Sequence, residues 1–230
     1  MLVKKNSILR HLPNMEEKQL LTLDSLRFTL ETIDYSYHNI LKHVTRISKN
    51  PSQRNYPQLF HYTWTFLDSI RRFVKLYKVL PSNNGHAIIK SIENISSPRN
   101  TYQHLDERVD ESIINSRRPF YGALKWTYHD PDANDAFTFV AISGLLYGNP
   151  GVVNFEDFDK SKPIDSIILE TVDRKKEMDI NLSEAFNNVS KVVENLEKEI
   201  MEKVAENNYQ LVDWESKRDV ILKLKRNIPE

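Results

Sequence analysis

The sequence predicts a mainly α protein, a helical bundle carrying a small β-hairpin or sheet insertion before its last long helix. Three observations predict it. Apolar residues recur at three- and four-residue spacing from Glu16 to Lys49 and again after Asn181. The 230 residues contain only five glycines, fewer than an all-β or Gly-rich nucleotide-binding design requires. Between about Tyr121 and Ile180 the period shortens to that of strands.

The first helix follows from Leu20, Leu23, Leu26, Leu30, Ile33, Tyr37, Ile40, Leu41, Val44 and Ile47, which form one stripe, and Asn50, Pro51 and Ser52 end it. Pro57 opens a second helix. There Phe66, Leu67, Ile70, Phe73, Val74 and Tyr77 face one way and Asp68, Arg72 and Lys75 the other, and the helix stops before Pro81. After the turn SNNG a short helix covers His86 to Asn94. Ser97 as N-cap and Pro98 as first helical residue start a fourth helix through RNTYQHLDERVDESIIN.

Past Arg117, Arg118 and Pro119, the stretches YGALKWTY and AFTFVAIS, joined by HDPDAND, read as a β-hairpin. DSIILETV and RKKEMDI read as a second strand pair. Asn181 and Glu184 fit a capping box for the last long helix, whose stripe is Leu182, Phe186, Val189, Val193, Leu196, Ile200 and Val204. A short closing helix is expected between Tyr209 and Glu230, built on Trp214, Val220, Ile221 and Leu224. The expected organisation is a helical core over 1–119, a β insertion over 120–180, and C-terminal helices over 181–230 that complete the bundle.

Lys plus Arg equals Asp plus Glu at 32 each, so no global field draws in nucleic acid or an anionic membrane, and any RNA contact must be local. The absence of cysteine excludes disulfides, Cys zinc sites and thiol nucleophiles, and fits a reducing, cytoplasmic setting. The N-terminus lacks a secretory h-region, and glycines and Pro150 interrupt the longest uncharged run, so a soluble protein is expected.

Most of the candidate chemistry sits at the start of the fourth helix. On a wheel of about 100° per residue, Tyr102, Leu105, Val109 and Ile113 make the core stripe, whereas Asn100 and His104 lie one turn apart on the opposite side. Arg99 falls in the first turn, where unpaired N–H groups and the helix dipole already attract anions, and its planar fork suits phosphate oxygens. His104 supplies a proton donor or acceptor near neutral pH. These groups suffice to bind a phosphodiester and deprotonate a ribose 2′-hydroxyl without a metal. A solvated, non-catalytic face explains the same residues, and Arg54, Asn55 and His61 in RNYPQLFH offer a competing set.

RNTYQH has the pattern of an arginine, a polar residue, three variable residues and a histidine. It resembles the signature of the HEPN superfamily, the higher eukaryotes and prokaryotes nucleotide-binding domain. RNTYQHLDERVDE, with WTFLDSIRRFVKLYKVLP before it, is similar to a group of bacterial HEPN-like proteins. The likeness covers about a quarter of the chain. It implies a dimerising bundle that places the arginine and histidine of both subunits in one cleft. In active members that cleft is a metal-independent endoribonuclease, of toxin or anti-phage type, paired with a nucleotidyltransferase antitoxin. The implied roles are phosphate binding for Arg99, general acid or base for His104, and support for Asn100. The chain lacks the tyrosine two residues after the histidine that regulated members carry, and the likeness leaves the β insertion unexplained. Asp106, Glu107, Asp110 and Glu111 would repel RNA unless Arg108, Arg117 or Arg118 offset them.

Arg71, Arg72, Lys75 and Lys78 place positive charge on the second helix, available to guide RNA or simply to be solvated. His38 and His43, five apart, do not share a face as zinc ligands one turn apart do, and read as structural. Asp130, Asp132 and Asn134 alternate like the start of a calcium loop, but the EF-hand glycine and glutamate are missing, so they read as turn formers. No cofactor is expected. The alternative to an enzyme is a non-catalytic scaffold that binds a protein or a nucleotide through the same polar face.

Overall fold

The computed structural model describes residues 1–52, 56–81, 86–95, 121–130, 132–144, 161–173 and 176–223. Among the described residues four α-helices, α1 (Glu17–Lys49), α2 (Tyr56–Tyr77), α3 (His86–Ile95) and α4 (Leu182–Glu206), accompany strands β1 (Ala123–Asp130), β2 (Asp135–Ile142), β3 (Ile164–Asp173) and β4 (Lys176–Asn181). The mainly α composition and the small sheet before the last long helix agree with the sequence reading. The expected fourth helix, from Pro98 onward, lies outside the described residues.

α2 packs along α1. The contact forms because Leu26, Leu30, Ile33, Ile40 and Val44 of α1 and Leu59, Phe66, Leu67, Ile70 and Phe73 of α2 are removed from water at each helical turn. Pro57 is the second residue of α2, where its missing N–H costs no helical bond. At the start of α4 the Asn181 side chain accepts the Glu184 N–H at 2.9 Å, the N-cap bond expected from the sequence. Its end is closed by Asn208 at φ 51°, with Tyr209 N–H bonding Val204 O at 3.1 Å and Asn208 N–H bonding Ala205 O at 3.4 Å, the Schellman pairing.

The sheet is antiparallel throughout, in the order β2-β1-β3-β4. Leu124, Trp126 and Tyr128 of β1 share its inner face with Ile167, Leu169 and Thr171 of β3. Ile164 is also buried, although it lies three positions from Ile167, an odd step that would turn one of them outward in a regular strand. A β-bulge resolves the conflict: the register slips opposite Trp126, with Ser166 at φ 51° as the extra residue. The Ile167 N–H bonds Ser183 Oγ of α4 at 3.1 Å, tying the bulge to the helix beneath it.

Trp126 anchors the sheet to α1. Its indole N–H donates to Ser48 Oγ at 2.9 Å, and its ring stacks on Phe139 at 5.5 Å. The β insertion therefore contributes to the same continuous core as the helices.

The closing helix expected after Tyr209 is corrected. Described residues 209–223 form an extended strap with one 3₁₀ turn, Glu215–Lys217. Its groups bond the chain's first segment: Trp214 Nε1–H donates to Leu12 O at 2.8 Å, Val212 N–H to the same oxygen at 3.3 Å, and Arg218 to Arg10 O at 2.6 Å. Of the apolar residues that suggested a helix, Trp214 packs on the core, whereas Val220 and Ile221 are exposed.

Gly122 supplies a sharp test of the sheet's seating. At φ 87° a Cβ would lie 2.6 Å from Glu170 O, a backbone atom unable to move without breaking the β1–β3 ladder. Gly122→Ala should cost about 2–3 kcal/mol. Urea unfolding would show this as a lowered midpoint at unchanged slope.

Candidate functional site

Arg99, Asn100, His104 and Arg108 lie outside the described residues, as do Arg54 and Asn55 of the competing set. The remaining sequence-selected residues, Arg71, Arg72 and Lys75, ride on α2. Arg71 is half-buried, and Arg72 and Lys75 are exposed. Arg72 pairs with Asp68 one turn earlier at 2.7 Å, and Lys78 reaches Glu93 of α3 at 2.6 Å. Both are surface pairs worth roughly 0–1 kcal/mol, so a stronger anion could replace either carboxylate. They nonetheless reduce the positive field that the spacing alone suggested.

A second charged cluster was not found in the sequence. Arg27, 2% exposed, bonds Asp24 at 3.0 Å and Glu31 at 2.8 Å, and Asp219 of the strap approaches to 3.4 Å. Glu31 also pairs with Arg10, and Arg218 meets Asp24 at 2.8 Å. Burial opposes the charge on Arg27, but the Asp24 hydrogen bond and the charges of Glu31, Asp24 and Asp219 outweigh it and raise its pKa. The i, i+3 and i, i+4 spacing of Asp24, Arg27 and Glu31 was visible. The strap residues that complete the cluster are too distant in sequence for spacing to reveal. With its cations matched by carboxylates, the cluster fastens the strap.

The histidines weighed as possible ligands are structural. His43 is buried with its ring 5.7 Å from that of Tyr62, and His38 holds Asp34 O through Nδ1 at 2.8 Å. In the β1–β2 turn Asp130 Oδ1 accepts the Asp132 N–H at 3.0 Å, and Asn134 takes φ 53°, so these residues shape the turn. Among the described residues no group of three His, Asp or Glu side chains could hold a metal ion. No helix among them is long and apolar enough to cross a membrane.

Clefts on the described surface include one at each end of the helical layer. The first, about 350 Å³, lies between the residues before α1, Leu80 and Pro81 after α2, and the last turns of α4. Glu16, Glu199 and Lys203 give it charges of both signs. The second, about 310 Å³, lies at the start of α2 against the sheet's edge, and its walls are mainly aromatic. On the outer face of α1, Leu21, Phe28 and Tyr35 are 59%, 58% and 62% exposed and recur every seventh residue, an apolar line at the surface.

No family model, curated protein or solved structure matches the chain.

The electrostatics of His43 lead to a pH dependence. Burial first, then the charges of Arg46 and Lys42, lower its pKa below the ordinary 6.5. The unfolded chain thus takes up this proton at a higher pH than the folded one. The contribution to stability is complete above 6.5 and is lost as pH falls through the folded pKa. Urea titrations between pH 7.5 and about 5 should show stability declining, with a smaller decline in His43→Gln. Equal slopes for the two proteins would remove His43 as the cause.

Proposed function

We propose that the chain is a HEPN-like, metal-independent endoribonuclease of toxin or anti-phage type that acts as a cytoplasmic homodimer. The observation that carries this reading is the motif RNTYQH at 99–104, directly after the helix-start pair Ser97-Pro98. In this reading Arg99 holds the scissile phosphate, Asn100 supports it, and His104 moves the proton. The ribose 2′-oxygen attacks phosphorus as its proton leaves, the P–O5′ bond breaks, and the 5′-oxygen takes up a proton. The products are a 2′,3′-cyclic phosphate and a 5′-hydroxyl, with no external oxidant or cofactor required.

Arg71, Arg72, Lys75 and Arg108 would guide the RNA backbone, and a nucleotidyltransferase antitoxin would be the natural partner. The line Leu21, Phe28 and Tyr35 supports association with a second copy, since three large apolar side chains in one exposed row gain by leaving water.

The second reading, a non-catalytic HEPN-like scaffold, is favoured by the Arg72–Asp68 and Lys78–Glu93 pairs, which neutralise one cation of α2 and one just past its end. Cleavage of a mixed RNA pool in EDTA separates the readings. The ribonuclease should leave cyclic phosphate ends and lose about 100-fold or more of its rate in His104→Ala and in Arg99→Ala. Absent or variant-independent cleavage would favour the scaffold.

A further inference from the structure

The aromatic cleft at the start of α2 combines features that select one kind of ligand. Tyr56, Phe60, His61 and Trp64 follow one another along the first turns of α2, and Tyr121, just before β1, and Ser143 and Gly144, just after β2, line the cleft with them. The two walls are tied together. Trp64 Nε1–H donates to Tyr121 O at 3.3 Å, and the Ser143 hydroxyl donates to Gly122 O at 3.0 Å, holding the end of β2 beside the start of β1. The cleft is therefore present before any ligand arrives, which reduces the ordering cost of binding.

Phe60 and Trp64 are 4% and 5% exposed and form the buried part, while Tyr121 and His61 stand at the rim. Among the described residues nothing lies within 4 Å of where a Gly144 Cβ would be. The volume of about 310 Å³ is at the small end of the range for single small-molecule sites, roughly 300–1,000 Å³.

Among the described residues the lining holds no Asp, Glu, Lys or Arg. These residues offer a metal cation no carboxylate and a phosphate no cation. A flat, uncharged ring finds aromatic faces to stack on, with the His61 imidazole at the rim to bond its polar edge. We propose that this cleft binds one unpaired nucleobase of single-stranded RNA. The choice of RNA as carrier of the ring rests on the ribonuclease reading, whereas the choice of a planar neutral ring rests on the cleft itself.

Stacking of a base on protein aromatics is insensitive to sequence, so the cleft would grip a splayed-out nucleotide without selecting among bases. Its place is separate from the cations of Arg71, Arg72 and Lys75 further along α2. Backbone and base would thus be held by different parts of one helix.

The test uses the full chain carrying His104→Ala, so that RNA remains intact. A short single-stranded oligoadenylate, the same oligomer with abasic ribose units, and free adenosine are each titrated by calorimetry. The oligoadenylate should bind more tightly than its abasic counterpart. Tyr121→Ala and the rim substitution His61→Ala should each weaken oligoadenylate binding by about fivefold or more while leaving the abasic oligomer unchanged. Equal binding of the two oligomers, or unchanged affinity in both variants with unaltered melting, would overturn the proposal. So would binding of adenosine without oligoadenylate, which would make this a site for a free nucleoside. Cleavage by the unsubstituted chain in EDTA is scored separately. Base-dependent binding without cleavage retains the cleft and removes the ribonuclease, and cleavage without base-dependent binding does the reverse.

Discussion

Four elements meet at Tyr37, and their mutual placement depends on that contact. Its ring stacks on Phe186 of α4 at 4.2 Å and leans on Phe66 of α2 at 5.7 Å, while its hydroxyl donates to Ser183 Oγ at 3.1 Å. The same serine oxygen accepts the Ile167 N–H of the bulged strand β3. One buried phenol on α1 thus sets the distance to α2, the position of α4 and the height of the sheet. Burial raises its pKa, so the ring keeps the proton this arrangement uses. Packing of this kind transmits small changes because protein interiors leave few voids for rearrangement.

The positions of the regular elements were largely legible because each obeys a local rule. The stripe of α1 and the Asn181 cap of α4 are encoded within a turn of where they act. The bulge at Ser166 was not legible, since it answers a demand made by Trp126 on another strand. The strap was misread for a similar reason. Trp214 and Ile221, seven apart, have helix-compatible spacing, but the partners that hold Trp214 and Arg218, Leu12 and Arg10, belong to the other end of the chain. Tertiary partners overrode local preference there.

For the site the balance differs. Arg99, Asn100 and His104 are candidates by residue type and spacing alone, information held within six residues. His61 entered the sequence reading only through the competing RNYPQLFH set. Its neighbours in the aromatic cleft, Tyr121 and Ser143, flank β1 and β2 and could be joined to it only by the fold. Residue types reveal candidate proton carriers, whereas a binding wall assembled from three elements becomes visible only when those elements are placed.

The hydrogen bond from Trp214 to Leu12 joins residues 202 apart in the chain. A loop of that length is entropically costly to close before the intervening elements have condensed, so the strap docks late in folding. Its few buried contacts also place it among the segments that open at low free energy in the native state. The charged cluster around Arg27 then acts as a clasp on the finished molecule, and exchange of the strap's amide protons would report its opening before the helices begin to melt.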